Sequence, residues 1–228
     1  MTARNADGDG PYDIDYDEVY RDTADSGGPP WDIGGPQPAL AEVLDGVKGP
    51  KVLDVGCGTG DLALALARRG YDVTAIDISR VAIDMARAKA ADEGLTVHFE
   101  VQDATDLSVP SAPFDSVFDS GLLHSLCRRG AGEEADYLAL LPGLAAPGAT
   151  VFVLAVSLRA GQSWGVTEEF LRASFPEPEW VDAEVSEIDV AAETGGRELR
   201  LPGFLLRTVR ACSAQPDRRP NRLGTHPR

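Results

Sequence analysis

Val52-Leu-Asp-Val-Gly-Cys-Gly-Thr-Gly60 sets a short apolar run directly before three alternate glycines. Lys51–Val55, the run itself, predicts a buried strand of a parallel sheet, because such strands are covered on both faces. Asp61–Arg69 (DLALALARR) predicts a helix that ends at Gly70, where a residue free to take positive φ closes the last turn. Strand, glycine turn and helix together read as a binding turn. Gly56, Gly58 and Gly60 lack a Cβ, so a bound molecule can approach the backbone closely, and the helix start behind them presents unpaired N–H donors. The spacing is GxGxG. A nicotinamide-binding turn favours GxGxxG, and the position after Gly60 is Asp61, which weakens that reading.

The pattern repeats on either side. Pro38–Val47 predicts a short helix through Leu40, Val43, Leu44 and Val47. Asp72–Asp77 is a second strand, and Ser79 caps a helix that runs to about Glu93 and stops at Gly94. Thr96–Val101 is a third strand and Phe114–Asp119 a fourth. A helix follows around Glu134–Leu144, and Thr150–Val156 is a fifth strand. This alternation predicts a parallel α/β sheet with helices on both faces. After Thr167, which caps a short helix, the β-like runs Glu179–Ile188 and Phe204–Val209 have no helix between them. They predict an antiparallel hairpin at the sheet edge.

The 228 residues suit one domain with a sizeable core, and the formal net charge of −16 disfavours phosphate backbones and anionic membranes as partners. No run approaches the ~18 apolar residues of a membrane span. The N-terminus lacks the apolar stretch of a secretory leader, which predicts a cytoplasmic protein. Cys57, Cys127 and Cys212 suggest neither a disulfide framework nor a metal site. Residues 1–32 carry nine acids against Arg4 and Arg21, whereas Arg210–Arg228 holds five arginines and one acid. The organisation expected is a flexible N-terminal segment and active-site lid over residues 1–36, a ligand-binding domain over 37–212, and a disordered basic tail over 213–228, with residues 1–10 also mobile. No oligomeric state follows.

Asp77 ends the second strand 21 residues after Gly56, where a carboxylate can accept both hydroxyls of a ribose. Asp103-Ala104 follows the third strand, within reach of an adenine amino group. These features share the C-terminal ends of the strands, where open α/β sheets bind ligands. In combination, VLDVGCGTG, VTAIDIS, VQDATDL and FDSVFDSGLLH resemble the class I S-adenosylmethionine-dependent methyltransferases over Val52–Val156. The resemblance implies a Rossmann-like fold with a seven-stranded, mostly parallel sheet and an antiparallel last strand, with S-adenosyl-L-methionine as cofactor and S-adenosyl-L-homocysteine as product. It further implies that Asp54, Gly56, Cys57, Gly58 and Gly60 line the methionine end. Asp77 and Ile78 would hold ribose and adenine, Asp103 and Ala104 the adenine edge, and Asp119 or Ser120 would sit beside the sulfonium.

A shorter match, Pro30-Trp-Asp-Ile-Gly-Gly-Pro-Gln-Pro38, is similar to the segment that closes over the cofactor in thiopurine, thiol and halide methyltransferases and in related small-molecule enzymes. Trp31 then contributes to both cofactor and acceptor sites, with Gly34-Gly35 as its hinge. Tyr12, Tyr16 and Tyr20 fall four apart on one helix face, and Tyr16 and Tyr20 are assigned to the acceptor. His124, in the loop after the fourth strand, is either the general base for an O–H acceptor or a wall of the pocket. Arg128 and Arg129 share that loop and either face solvent or attract an anionic acceptor; Trp164 borders the acceptor. Cys57 reads as small and apolar. The expected activity is methyl transfer to S, N or O of a small aromatic or heterocyclic acceptor, with no metal and no nucleic-acid partner. Two rivals share the fold: an NAD(P)-dependent oxidoreductase and a non-catalytic S-adenosylmethionine-binding module.

Overall fold

Strands β1 (Lys51–Val55), β2 (Asp72–Asp77), β3 (His98–Val101), β4 (Phe114–Ser120), β5 (Ala145–Val156), β6 (Trp180–Thr194) and β7 (Arg197–Arg210) form one sheet in the order β3-β2-β1-β4-β5-β7-β6. The computed structural model describes residues 14–130, 132–161 and 164–212. The mobility expected for residues 1–10 and the tail expected at 213–228 lie outside the described residues. β1 pairs in parallel with β2 and β4, and the parallel set runs from β3 to β5. β7 alone is reversed, antiparallel to both β5 and β6. The order reverses between β1 and β4, which makes the ends of those strands the crevice of the sheet.

Helices cover both faces. Leu53, Val55, Val117, Val151 and Val153 point into one core with α5 (Leu122–Arg129) and α6 (Glu133–Leu144), while Val52, Val73, Ala75, Phe118 and Phe152 point into the other with α3 (Asp61–Ala67) and α4 (Arg80–Asp92). Alternate residues of the same strands thus serve opposite cores, the condition that makes these strands nearly continuously apolar. Phe118 and Phe152 are register partners on β4 and β5 and stack at 4.8 Å. As expected, Ser79 caps α4 by accepting from the Ala82 N–H, and Thr167 caps α7 (Glu168–Ser174) by accepting from the Phe170 N–H.

Four local readings need correction. The helix expected over 38–47 breaks into α2 (Pro38–Ala41) and a 3-10 turn at Leu44–Gly46, since so short a piece propagates poorly. Residues 122–129 form α5 rather than a loop, bounded by positive-φ glycines Gly121 and Gly130, with Leu123 and Leu126 buried. β5 begins at Ala145 and carries Pro147-Gly148 within it, with Gly148 at φ +84° where the pairing with β4 shifts register. The hairpin strands are 15 and 14 residues long, because Asp189–Thr194 pairs with Arg197–Pro202 and leaves only Gly195-Gly196 as the turn. Gly203 makes that possible: a Cβ there would lie 2.4 Å from Val190 Cγ2 and 2.7 Å from the Ala155 carbonyl.

The described part of residues 1–36 is structured. Asp15 caps α1 (Tyr16–Thr23), a 3-10 turn follows at Ala24–Ser26, and the chain then crosses to the hairpin. The Glu193 N–H donates to Pro30 O, and the Gln37 amide makes two bonds of 2.9 Å with the Ala191 backbone. The extension of β6 thus serves as a rail for the N-terminal segment.

Gly60 links motif to packing. At φ +85° it begins α3, and a Cβ would lie 2.9 Å from Ala86 Cβ and 3.1 Å from the Phe99 ring. The third motif glycine therefore relieves contacts with α4 and β3. Gly60→Val is expected to cost ~2–4 kcal/mol, from the left-handed backbone and overpacking together. Denaturant unfolding showing a loss below ~1 kcal/mol would contradict this assignment.

Candidate active site

Tyr20 lies over the glycine turn. Gly56, Gly58 and Gly60 all have positive φ, and their missing Cβ atoms face protein side chains in this structure. A Cβ on Gly56 would meet Leu122 Cβ at 3.0 Å, and one on Gly58 would meet Tyr20 Oη at 2.8 Å. The bare backbone of Gly56 and Gly58 thus also accommodates α5 and α1 in this structure. Tyr20 is buried and its phenol is pushed up by that burial, so its hydroxyl stays protonated. Trp31 Nε1–H donates to that hydroxyl at 3.1 Å, and Tyr16 and Tyr20 both meet the Trp31 ring edge-on. Trp31 itself remains 46% exposed.

Asp77 joins the two ligand loops. Its Oδ2 accepts from the Gly58 N–H and its Oδ1 from the Ser79 N–H, both at 2.8 Å. Each oxygen retains a second lone pair for a hydroxyl. Burial raises the Asp77 carboxyl, against the pull of those N–H donors. Ile78, the next residue, is a large apolar side chain left 44% exposed, a flat platform beside the carboxylate. Asp103 Oδ1 closes a turn with the Thr105 N–H and hydroxyl, and Ala104 is buried in the core of the α5–α6 face.

Two carboxylates lie beneath the turn. Asp54 is fully buried, and neither oxygen has a hydrogen-bond partner among the described residues. Burial, then the charges of Asp77 and Asp119, push its carboxyl up to about 8. Asp119 is also fully buried, and burial raises it to about 7. It accepts from the N–H groups of Gly121, Leu122 and Leu123, and so caps α5. With Asp119 committed to the helix, half-buried Ser120 is the member of that pair at the strand end. Cys57 is half-buried and burial pushes its thiol up, consistent with a small apolar role.

Of the residues that the sequence reading assigns to the acceptor, the structure brings His124, Trp164 and Arg128 together. His124, in the first turn of α5, stacks on Trp164 at 5.4 Å with an angle of 16°, and the Arg128 guanidinium lies 5.4 Å from the Trp164 centroid. His124 Nδ1 accepts from the Val156 N–H at 3.4 Å, which assigns the ring proton to Nε2 in the neutral tautomer. Burial, then Arg128, lowers His124 to about 4. A ring so weakly basic, with Nδ1 engaged, carries an Nε2–H that can donate. Tyr16 reaches the same wall through Ser125, and burial raises its phenol.

Reasoning from sequence missed a polar seam under the lid. Asp17 Oδ1 accepts from the Ser79 hydroxyl at 2.6 Å and the Val81 N–H at 3.1 Å. Asp32 Oδ2 accepts from the Thr59 hydroxyl at 2.8 Å, while Lys89 donates to Thr59 Oγ1 and Asp61 Oδ1. The acidic run at 13–18 was the available signal, but it read as bulk charge. A cavity of about 340 Å³ bordered by Lys51, Thr74, His98 and Ser111 lies at the opposite, N-terminal ends of the strands and takes no part here. Among the described residues no acid, histidine or cysteine cluster suits a metal, and no helix is long and apolar enough to cross a membrane.

Residues 52–135 match a protein-family model described as "Methyltransferase domain". The 2-heptyl-1-hydroxyquinolin-4(1H)-one methyltransferase of Mycobacteroides abscessus is 38% identical over 131 residues, covering 55% of each chain. A ubiquinone biosynthesis O-methyltransferase of Xylella fastidiosa is 41% identical over 98 residues, covering 38% of this chain and 40% of the relative. The chain thus spans about half the length, or less, of these curated relatives. A solved structure described as "Conversion of a Disulfide Bond into a Thioacetal Group during Echinomycin Biosynthesis" superposes with TM-score 0.74 at 34% identity, over 87% of this chain and 93% of that one.

Proposed function

Because the chain belongs to the class I S-adenosylmethionine-dependent methyltransferases, we propose that it methylates a heteroatom of a small aromatic or heterocyclic acceptor that arrives already nucleophilic. The observation that carries the acceptor chemistry is His124: its Nδ1 is engaged by the Val156 N–H and its basicity is depressed to about 4. A neutral, weakly basic His124 offers a donor in place of a base, which suits an ionised hydroxy-heteroarene, a thiolate or a neutral ring nitrogen. The parallel His124–Trp164 pair supports a planar acceptor, as does the hydroxyquinolone named for the M. abscessus relative.

The residues present fit S-adenosylmethionine. Asp77 and Ile78 offer a hydroxyl acceptor beside an exposed apolar surface for the nucleoside end, and the orphaned Asp54 carboxyl, mostly protonated on its own, is placed to ionise against the cationic end. When bound, the cofactor supplies a methyl group activated by a sulfonium. The protein's own work is positioning: Trp31 and Tyr20 exclude water over Gly58, and His124 Nε2–H can donate to an acceptor oxygen and hold its orientation. Alignment of this kind is worth up to ~7–11 kcal/mol.

The test combines calorimetry with a panel of phenols, hydroxyquinolines, thiols and azaarenes. One-to-one binding of S-adenosylmethionine is expected, with turnover whose pH profile follows the acceptor's pKa and His124→Ala lowering the rate by about tenfold or less. A loss of ~10²–10⁴-fold, the scale of a removed general base, would restore the base role. Binding of NAD(P) in place of S-adenosylmethionine would overturn the reading, and binding without turnover across the panel would favour a non-catalytic module.

A further inference from the structure

We propose that Asp17 is the latch of a swinging lid formed by α1, and that it sets how long the cofactor stays bound; this rests on the methyltransferase reading above. Three observations locate the moving part. The chain is fixed from Pro30 onward, by Glu193 N–H to Pro30 O, by Asp32 to Thr59 and by Gln37 to Ala191. Gly34-Gly35 therefore lies between two anchors, beyond the segment that carries α1. Gly27 and Gly28, at φ +97° and +98°, lie between α1 and the first anchor, where a Cβ on Gly27 would meet nothing within 4 Å. The Gly28 N–H donates to Thr23 O at 2.9 Å and so carries this turn with α1, which puts the pivot at Gly28-Pro29, just ahead of the Pro30 anchor.

On the far side of that pivot α1 makes two contacts with the ligand loops. Tyr20 Oη covers Gly58, so closure of α1 closes the glycine turn. Asp17 bonds the Ser79 hydroxyl and the Val81 N–H, the first turn of α4, directly after Asp77 and Ile78. Those bonds hold the Asp17 carboxyl below its usual range, so it is ionised and accepting at neutral pH. Its other neighbour, Arg21, is a surface partner at 3.6 Å on the same helix. The only side chain of α1 that grips the nucleoside loop by hydrogen bonds, among the described residues, is thus Asp17. It is a positioning residue that acts through Ser79 and α4, with no contact to the acceptor.

The test uses the full chain and S-adenosylhomocysteine, whose release is followed by stopped-flow displacement, alongside steady-state kinetics. Asp17→Ala is expected to release the product about tenfold faster and to raise KM for S-adenosylmethionine about tenfold, with kcat unchanged or raised. Asp17→Asn keeps an Oδ1 acceptor for both donors and should recover most of the loss; Arg21→Ala should match wild type. Trypsin should cut after Arg21 faster in Asp17→Ala at an unchanged melting temperature, which separates lid opening from unfolding. Release and KM within twofold of wild type in Asp17→Ala, or a fall in kcat at unchanged KM, would overturn the latch. A wild-type chain that binds no S-adenosylhomocysteine would sink the methyltransferase reading and the latch with it.

Discussion

Asp77→Ala is expected to weaken S-adenosylmethionine binding by ~10²–10³-fold while the fold persists. The carboxylate does two things at once. It receives the Gly58 and Ser79 N–H groups at 2.8 Å each, and so ties the glycine turn to the start of α4. It also keeps a lone pair on each oxygen for ribose hydroxyls. Removal leaves two backbone donors without their acceptor, a cost of ~1–3 kcal/mol each where water cannot replace it, and deletes the hydroxyl acceptor itself. Since each 1.4 kcal/mol is about tenfold in affinity, the lower bound comes from the ligand contact and one loop bond alone. Asp77→Asn is the informative partner: its Oδ1 can still accept from one N–H, but its amide nitrogen donates where the other N–H points. It should fall closer to alanine than to wild type. Calorimetry giving Asp77→Ala within about threefold of wild type would show that the carboxylate serves only the loops.

The contrast between what the sequence disclosed and what it hid has a physical basis. β1, β2, α3 and α4 were readable because their apolar residues, caps and stop glycines are local. The reversed edge hairpin was readable because two β-like runs without an intervening helix leave few topologies. α5 escaped because SGLLHSLCRR is short and its helical character depends on Asp119, a strand residue whose carboxylate caps it. The hairpin's full length escaped because Pro202 and Gly203 read as breakers, whereas in the sheet Gly203 permits the close approach of Val190 and Ala155. At the candidate site, Asp77 and the glycines stand out from strand–turn–helix context, whereas Ile78 comes only with the family resemblance. The seam of Asp17, Asp32 and Thr59 does not stand out, because its partners lie 62, 64 and 27 residues apart in sequence and the spacing of such contacts carries no periodic signal.

Affinity for S-adenosylmethionine is expected to rise about tenfold per pH unit between pH 6 and 7.5, and Asp54 is the reason. Its carboxyl is fully buried, has no hydrogen-bond partner among the described residues, and is raised to about 8 by burial and by the charges of Asp77 and Asp119. Over this range Asp54 is mostly protonated, and its ionised fraction rises about tenfold per unit. A cationic ligand favours the ionised form, so apparent affinity tracks that fraction. The sign for the unliganded protein is opposite. Asp54 and Asp119 both hold protons in the folded state that the unfolded chain releases near its ordinary carboxylate range. Stability of the unliganded chain should therefore fall as pH rises from about 4 toward 8. Asp54→Asn removes the Asp54 share of both effects: it should flatten the binding slope, weaken binding at pH 7.5 and reduce, with Asp119 still titrating, the pH dependence of the unliganded melting temperature. Calorimetry in two buffers of different ionisation enthalpy should also detect proton release on binding to wild type and its loss in the variant. A wild-type affinity that changes less than twofold across the range, or an equal slope in Asp54→Asn, would move the cationic end of the ligand away from Asp54 and leave that carboxylate a silent buried acid.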